Sequence, residues 1–203
     1  NVHNFRTPIK TRFINKEEHL LRVDDEENKF KLINKYKSLI LERLKKEITK
    51  HDLIVLSDYD KGLLDADLIQ KIIKISISHN KIIIADPKKT DLSCYNGIDI
   101  LTPNQKEIND SAKKNLFTEV KLVKFAKNLI KKHNIKNLLI TRSEKGMLLV
   151  SHNSITKIKA NAIKVIDVTG AGDTVIATLA LMLTMGLSVE DSIYISNYAA
   201  GLV

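Results

Sequence analysis

Residues 165–174 read Val-Ile-Asp-Val-Thr-Gly-Ala-Gly-Asp-Thr, and this stretch joins an apolar run to an apolar helix through a glycine-rich turn. Gly170 and Gly172 allow backbone conformations that are closed to other residues and let the chain approach an anion closely. The helix that follows presents unpaired N–H groups and the positive end of its dipole, which suits a phosphate of ATP. Asp173 then stands where a carboxylate could take the proton from a hydroxyl group that attacks that phosphate.

The same turn also has an ordinary structural interpretation. Strand-to-helix turns with two glycines are common in α/β proteins, and an aspartate at a helix start often serves only as a cap. Two common nucleotide motifs are absent from the sequence. There is no G-x-x-x-x-G-K-[ST], and Gly170-x-Gly172 lacks the third glycine of the dinucleotide fingerprint. The functional interpretation therefore depends on the rest of the chain.

Short apolar runs alternate with helical stretches along most of the chain. Runs rich in Ile, Leu and Val are typical of strands that are buried on both faces of a sheet. Such strands are predicted at 53–57, 81–85, 98–101, 138–141 and 147–150, and helices at 26–48, 65–78, 118–133, 173–185 and 189–201. The alternation predicts an α/β fold with helices on both faces of a mostly parallel sheet. In such sheets, ligands bind at the carboxyl ends of the strands.

Four polar segments follow predicted strands, in chain order. They read Leu-Ser-Asp-Tyr-Asp-Lys-Gly at 56–62, Ala-Asp-Pro-Lys at 85–88 with Asp91 beyond, Leu-Thr-Pro-Asn-Gln-Lys-Glu at 101–107 and Ile-Thr-Arg-Ser-Glu-Lys-Gly-Met at 140–147. Together with residues 167–174, they resemble the motifs of ribokinase-like (PfkB-type) carbohydrate kinases, and most closely those of the heptose 7-phosphate kinases. Generic ribokinases more often carry T-x-G-x-x-G in the last of the four segments.

The resemblance implies a ribokinase-like fold, with three α/β/α layers and a mostly parallel central sheet, and it implies roles for the glycine-rich turn. Asp173 is expected to be the base for the anomeric hydroxyl of a sugar. The backbone of Gly170, Ala171 and Gly172 is expected to stabilise the charge that develops on the transferred phosphoryl group. ATP and Mg²⁺ are the implied cofactors.

Two of the segments are expected to serve the nucleotide. Asn104 and Glu107 resemble the family's P-N-x-x-E element, which arranges Mg²⁺ and the nucleotide phosphates, often through water. The structural alternative for this element is a Pro-Asn cap at the start of a helix. The other residues expected to contact or border the nucleotide are Gln105, Lys106, Ser143, Glu144 and Gly146.

Three residues are expected to face the sugar or the transferred phosphate: Asp58, Lys61 and Lys88. Each of them could instead be only a turn residue or a surface charge. Asp60 departs from the glycine that the resemblance leads us to expect at that position, which weakens the inference about the geometry of this loop.

The opening segment differs from the rest of the chain. Residues 9–14 and 19–23 are short and alternating, and they predict a hairpin. In the family a small β lid covers the sugar, so residues 1–24 resemble a remnant of that lid and its return strand. Arg12 and Arg22 could reach a substrate phosphate by bidentate contacts. Two solvated strand arginines are an equally good interpretation.

The resemblance covers residues 1–203 as one kinase domain, which begins after the family's first strands and ends inside a late helix. It therefore implies a fragment that lacks the N-terminal part and the last C-terminal elements, and that alone could be inactive. In many bacteria this kinase domain is fused to an ADP-heptose synthase. A nucleotidyltransferase domain in the same protein and a homodimer are further expectations.

Composition excludes several classes of protein. The chain is 43% hydrophobic, yet no apolar run is long enough to span a bilayer and the N-terminus does not resemble a signal peptide. A cytoplasmic protein without membrane contact is expected. The single cysteine, Cys94, excludes an internal disulfide, and the six histidines show no metal-ligand spacing.

The formal net charge of +9 raises the question of nucleic-acid binding. The lysines are spread over helix-surface positions without interleaved aromatic residues, which favours a solvated face over a nucleic-acid interface. A positive field would also attract an anionic sugar phosphate and ATP. We therefore expect small-molecule partners and no nucleic acid.

These observations predict an ATP- and Mg²⁺-dependent sugar kinase. The resemblance implies that the substrate is D-glycero-D-manno-heptose 7-phosphate, phosphorylated at O1 to the 1,7-bisphosphate in ADP-heptose synthesis for the lipopolysaccharide core. The alternatives are another PfkB-type sugar kinase, a catalytically inactive nucleotide-binding fragment and, third, a basic nucleic-acid binder. Turnover of a non-heptose sugar would identify another sugar kinase. ATP binding without turnover would identify an inactive fragment, and salt-dependent retention on DNA would identify a nucleic-acid binder.

Overall fold

A computed structural model describes residues 9–15, 18–26, 36–160 and 170–202. The first described residues form an antiparallel pair of strands, β1 (Ile9–Asn15) and β2 (Glu18–Asp25). This pair forms a separate two-stranded sheet. The hairpin predicted from the alternating pattern is therefore confirmed.

The main sheet has six strands, in the order in which they occur in the chain. They are β3 (Leu53–Ser57), β4 (Ile82–Asp86), β5 (Ile100–Leu101), β6 (Asn137–Thr141), β7 (Met147–Ser151) and β8 (Ile155–Ile158). The first four strands are mutually parallel, whereas β7 and β8 run antiparallel to their neighbours. The mostly parallel sheet agrees with the sequence prediction, although β8 was not predicted.

Six α-helices lie within the four described ranges of the chain. They are α1 (Lys37–Glu47), α2 (Ala66–Ser78), α3 (Gln105–Ala112), α4 (Glu119–His133), α5 (Ala171–Thr184) and α6 (Val189–Ala200). Asp65, Thr118 and Ser188 cap three of these helices by accepting hydrogen bonds from backbone N–H groups of the first turn. The helix α3 was absent from the predicted helices. Of the predicted helix 26–48, Glu26 is not helical, and within residues 36–48 the α-helix begins at Lys37.

Alternating side chains of the strands belong to two hydrophobic cores, one on each face of the main sheet. In β4, Ile83 and Ala85 belong to one core and Ile84 to the other. Helices α2 and α4 cover the first face, and α5 and α6 cover the second. This layering explains why the strands read as continuous apolar runs, because side chains on both faces are buried.

The parallel arrangement brings the loops after β3, β4, β5 and β6 to one edge of the sheet. A backbone bridge between Asn104 and Thr141 joins two of these strand ends, and the N–H of Thr141 donates to the carbonyl of Pro103 at 3.1 Å. All four polar segments from the sequence analysis therefore lie at the edge where ligands bind in parallel α/β sheets.

Candidate active site

The glycine-rich turn leads directly into α5. Gly170 is the N-cap of this helix, with φ at +91°, and Ala171 is its first residue. The carbonyl of Gly170 accepts the first helical hydrogen bond, from the N–H of Thr174 at 2.8 Å. Asp173 is exposed in the first turn of the helix. Residues 165–169 of the motif lie outside the described residues.

A large cavity of about 520 Å³ opens beside this turn. It lies between the loop after β6, the start of α5 and the end of α6. Its lining includes the sequence-predicted residues Asn104, Ser143, Glu144, Gly146, Ala171 and Gly172, together with Thr141, Arg142, Asn197, Ala200 and Gly201. The volume and the mixed polar and apolar lining are typical of a site for a small organic ligand.

A small cavity of about 70 Å³ lies beside the large one. The two share Asn104, Thr141, Gly172 and Val175 as lining residues. The small cavity adds Asp86 and Lys88 from the end of β4, with Thr102 and Ile176. Residues from four separate segments therefore meet where the glycine-rich turn borders both cavities.

Asp86, at the end of β4, contributes a carboxylate with a perturbed pKa to the small cavity. Burial raises its pKa to about 6, and the nearby charges of Glu107 and Asp173 act in the same direction. The ammonium group of Lys88, 3.8 Å away, opposes the rise. A carboxylate with such a pKa in a cleft is characteristic of functional sites. Asp86 lies in segment 85–88, but no role was predicted for it from the sequence.

Asn104 and Glu107 form a capping box at the start of α3. The side chain of Asn104 accepts from the N–H of Glu107 at 2.9 Å, and the carboxylate of Glu107 accepts from the N–H of Asn104 at 2.8 Å. The helix cap that was the structural alternative for this element is therefore present in the structure. Glu107 also accepts a hydrogen bond from Lys88 at 2.6 Å, which links the cap to the small cavity. Gln105 is half-buried and Lys106 is exposed on the first turn.

The β6–β7 loop (142–146) forms one wall of the large cavity. Gly146 has φ at +73°, and a Cβ atom there would lie 2.0 Å from the carbonyl oxygen of Ile158. Ser143 also has a positive φ, of +50°, at the position where generic ribokinases more often carry glycine. The N–H of Arg142 donates to the carbonyl of Gly146 at 2.8 Å and closes the loop. The loop is therefore fixed by its backbone.

Arg142 itself was not predicted as a site residue. Its guanidinium donates to Glu119 at 3.2 Å and to the carbonyl of Lys145 at 3.4 Å, and its side chain is only 10% exposed. Asn197 was also missed, since it lies in α6 without a recognisable motif. It donates to the carbonyl of Lys159 at 2.8 Å from the wall of the large cavity.

Asp58 and Lys61, expected to face the sugar, have protein partners in the β3 loop (58–62). Asp58 is 3% exposed and accepts hydrogen bonds from the hydroxyl of Tyr95 and the backbone N–H of Asp60. Lys61 forms an ion pair with Glu26, directly after β2. Neither residue lines the large or the small cavity.

Arg12 and Arg22 lie directly opposite each other on the hairpin. Arg22 makes a bidentate ion pair with Asp24, at 2.7 and 2.6 Å, and both arginines are exposed. The hairpin is tied to the β3 loop through Glu26, which contacts Lys10 as well as Lys61. The arginines therefore belong to an exposed hairpin connected to the β3 side of the sheet edge.

A depression of about 700 Å³ also lies on the outer face of α4 and β8. It contains none of the predicted site residues, so we assign the candidate active site to the two adjoining cavities instead. Within the described residues, no group of three or more His, Cys, Asp or Glu side chains is arranged as a metal cluster. No helix of that part of the chain is long and apolar enough to cross a membrane.

Comparison with protein families gives one match over nearly the whole chain. A model for the pfkB family of carbohydrate kinases matches residues 3–203. The bifunctional protein HldE of Paramagnetospirillum magneticum is 36% identical over 199 residues, which are 98% of this chain and 41% of that protein. HldE of Pasteurella multocida is 37% identical over 203 residues, 100% of this chain and 41% of that protein. The chain thus spans about two fifths of the length of these relatives.

Solved structures share the fold at low sequence identity. Phosphofructokinase-2 from Escherichia coli, in complex with potassium, has a TM-score of 0.69 at 19% identity and covers 79% of this chain and 54% of its own. Arabidopsis thaliana ribokinase, complexed with ribose and ATP, has a TM-score of 0.68 at 22% identity. The match covers 80% of this chain and 51% of the ribokinase chain. These similarities confirm the ribokinase-like α/β architecture predicted from the sequence.

Proposed function

The chain belongs to the pfkB family of carbohydrate kinases, and we propose that it transfers the γ-phosphoryl group of ATP to O1 of D-glycero-D-manno-heptose 7-phosphate, as part of a longer protein. The observation that carries this proposal is the meeting of the two cavities at the glycine-rich turn. The large cavity has the size and lining for a nucleotide, and the small cavity gathers charged groups beside Asp173. The reaction would thus occur where the two volumes join.

Asp173 is the proposed general base. The hydroxyl oxygen of the sugar attacks the γ-phosphorus, its proton passes to the Asp173 carboxylate, and the bond to the β-phosphate oxygen breaks to release ADP. Gly170, Ala171 and Gly172 supply backbone N–H groups at the start of α5. The helix terminus stabilises the negative charge on the transferred group.

Lys88 is the proposed counter-charge for that group. Its ammonium lies at the small cavity and is held by Glu107 at 2.6 Å and Asp86 at 3.8 Å. A lysine fixed beside a transferring phosphoryl group neutralises charge in the transition state. This role places Lys88 at the transfer point between the nucleotide and the sugar.

Asn104 and Glu107 would hold Mg²⁺ through bridging water. Their amide and carboxylate oxygens are the donor type that this ion prefers, but the capping box and Lys88 already use oxygens of both side chains. Water-bridged contact therefore fits these residues better than direct ligation. Bound Mg²⁺ supplies charge neutralisation for the nucleotide phosphates.

The choice of sugar rests on the relatives. Both HldE proteins are bifunctional, and residues 141–147 of this chain carry the T-R-S-E-x-G-M form that resembles heptose 7-phosphate kinases. We further propose that the protein acts in the cytoplasm, that it forms a homodimer and that a nucleotidyltransferase domain belongs to the same polypeptide. Product formation would then feed ADP-heptose synthesis.

The test is phosphate transfer from ATP by the full-length parent protein, compared with its Asp173→Asn variant and with residues 1–203 alone. Heptose 7-phosphate should be the preferred acceptor in a panel with ribose, fructose 1-phosphate and fructose 6-phosphate. The variant should lose at least about a thousandfold in kcat while it retains ATP binding. Preference for another sugar would overturn the substrate, and ATP binding without turnover of any sugar would favour an inactive nucleotide-binding module.

A further inference from the structure

A buried carboxylate joins three segments on the β3 side of the sheet edge. Asp58 accepts from the hydroxyl of Tyr95 at 2.6 Å and from the backbone N–H of Asp60 at 2.8 Å. The ammonium of Lys89 lies 3.5 Å from the same carboxylate. The β3 loop, the loop after β4 (87–91) and the 3₁₀ turn that contains Tyr95 are therefore connected through one side chain.

These contacts are protected from solvent. Asp58 is 3% exposed and Tyr95 is fully buried, so the carboxylate depends on its protein partners. Burial, followed by the hydrogen bond to Asp58, raises the pKa of the Tyr95 hydroxyl, which keeps it a hydrogen-bond donor. A buried group with satisfied oxygens is suited to hold structure, and poorly suited to bind a substrate.

Lys89 links this arrangement to the preceding residue of the chain, Lys88. Its ammonium pairs with Asp58 and, at 2.6 Å, with Asp60, whereas Lys88 pairs with Glu107 and Asp86 at the small cavity. Adjacent lysines thus bind to two different sets of carboxylates. Anchoring Lys89 restricts the backbone from which the side chain of Lys88 extends.

We propose that Asp58 is a positioning residue that acts through Lys89 to hold Lys88 in the small cavity. The proposal rests on the proposed role of Lys88 in phosphoryl transfer. It gives Asp58 a task different from the sugar contact expected from the sequence resemblance. Tyr95 serves as the fixed point against which the Asp58 carboxylate is oriented.

The kinetic test is a double-mutant cycle in the full-length parent protein. Lys89→Met cuts the link while it retains Asp58 and Tyr95, and should lower kcat/KM for the sugar phosphate about tenfold with the Kd for ATP unchanged. In a Lys88→Met background, the same substitution should change kcat/KM less than about twofold. Lys89→Arg should restore most of the activity, and Asp58→Asn should reproduce the Lys89→Met loss. Equal losses in both backgrounds would overturn the proposal.

A second measurement does not need activity. Hydrogen exchange of the amides in residues 86–91, followed by mass spectrometry without substrates, should be faster in Lys89→Met and Asp58→Asn than in the parent protein. Asp67→Asn is the matched control, since it removes an exposed carboxylate that pairs with Lys71. Faster exchange in a protein without kinase activity would refute the proposed function but support the positioning of this loop. Unchanged exchange would refute the positioning itself.

Discussion

The β6–β7 loop and the β3 loop lie at the same edge of the main sheet, but different forces hold them. The β6–β7 loop is fixed by close packing of its backbone, because Gly146 leaves no room for a Cβ atom against Ile158. The β3 loop is fixed by charge, through Asp58, Asp60 and Lys89. The side of the candidate site at the large cavity is therefore set by shape, and the side towards the β1–β2 hairpin by electrostatics.

The largest expected effect would come from a methyl group added to the packed loop. Gly146→Ala places a Cβ 2.0 Å from the carbonyl oxygen of Ile158 and 2.5 Å from the backbone nitrogen of Ala160. Neither backbone atom can move away as a flexible side chain would. We expect the free energy of unfolding, measured with urea, to fall by roughly 3–5 kcal/mol.

Gly186→Ala is the control for that substitution. Gly186 also has a positive φ, of +85°, but among the described residues no atom lies within 4 Å of an added Cβ. Its substitution should cost only the backbone strain, about 1–2 kcal/mol. Equal losses at the two glycines would show that close packing does not distinguish the β6–β7 loop.

The next largest loss of stability is expected when the β3 loop loses its cation, Lys89. Lys89→Met leaves the buried Asp58 carboxylate with its two hydrogen bonds but without a counter-charge, and should lower the free energy of unfolding by about 2 kcal/mol. The matched control is Lys71→Met, which removes an exposed pair with Asp67 and should cost less than about 0.5 kcal/mol. A loss as small as that of the control would mean that charge does not hold this loop.

The negative charge of Asp86, in the small cavity, is expected to destabilise the folded state, and this effect depends on pH. Burial raises the pKa of Asp86 to about 6, so its ionisation weakens the folded state as pH rises from about 4 through 6. Asp86→Asn should therefore increase the free energy of unfolding at pH 8 by about 1–2 kcal/mol, after allowance for solvent screening, and by nearly nothing at pH 4. Urea unfolding at both values, without Mg²⁺, measures this. Destabilisation at pH 8 would show that Lys88 more than offsets the burial.

The smallest expected effects distinguish the two loops at equivalent backbone positions. Asp60 and Ser143 have φ of +52° and +50°, where glycine would be unstrained. For Ser143→Gly, relief of strain and the larger entropy of the unfolded chain should nearly cancel, within about 0.5 kcal/mol. Asp60→Gly also removes the ion pair with Lys89, so it should be less stable than Ser143→Gly by about 0.5 kcal/mol. Thermal unfolding of both variants would show whether this order is reversed.

Much of the fold was predictable because the strands are buried on both faces. Continuous apolar runs indicated the positions of β3, β4, β6 and β7, and the predicted helices 65–78 and 118–133 begin at the residues that cap α2 and α4, Asp65 and Thr118. The short helix α3 and the edge strand β8 were not predicted. The helix α3 has only eight residues and buries a single apolar side chain, Ile108, so its apolar positions are too few to show a helical period.

The candidate site was predictable only where its residues follow a motif. Asn104, Ser143, Gly146 and Gly172 line the cavities, and Glu107 borders the small cavity through its hydrogen bond with Lys88. The roles proposed for them remain predictions. The sequence could not show that Asp58 is buried, or that Asn197 reaches the large cavity, because both facts depend on contacts between distant segments.

The antiparallel strands β6, β7 and β8 have a consequence for how the molecule acquires its structure. Their pairings join residues close in sequence, such as Thr141 with Met147 and Val150 with Ile155. The parallel pairings of β3 with β4 and of β5 with β6 instead join residues separated by intervening helices, such as Leu53 with Ile82. Contacts of low contact order form with a smaller loss of chain entropy. We therefore expect this meander, with the wall of the large cavity, to form early in folding, before the parallel strands bring Asp58 and Asp86 to the same edge.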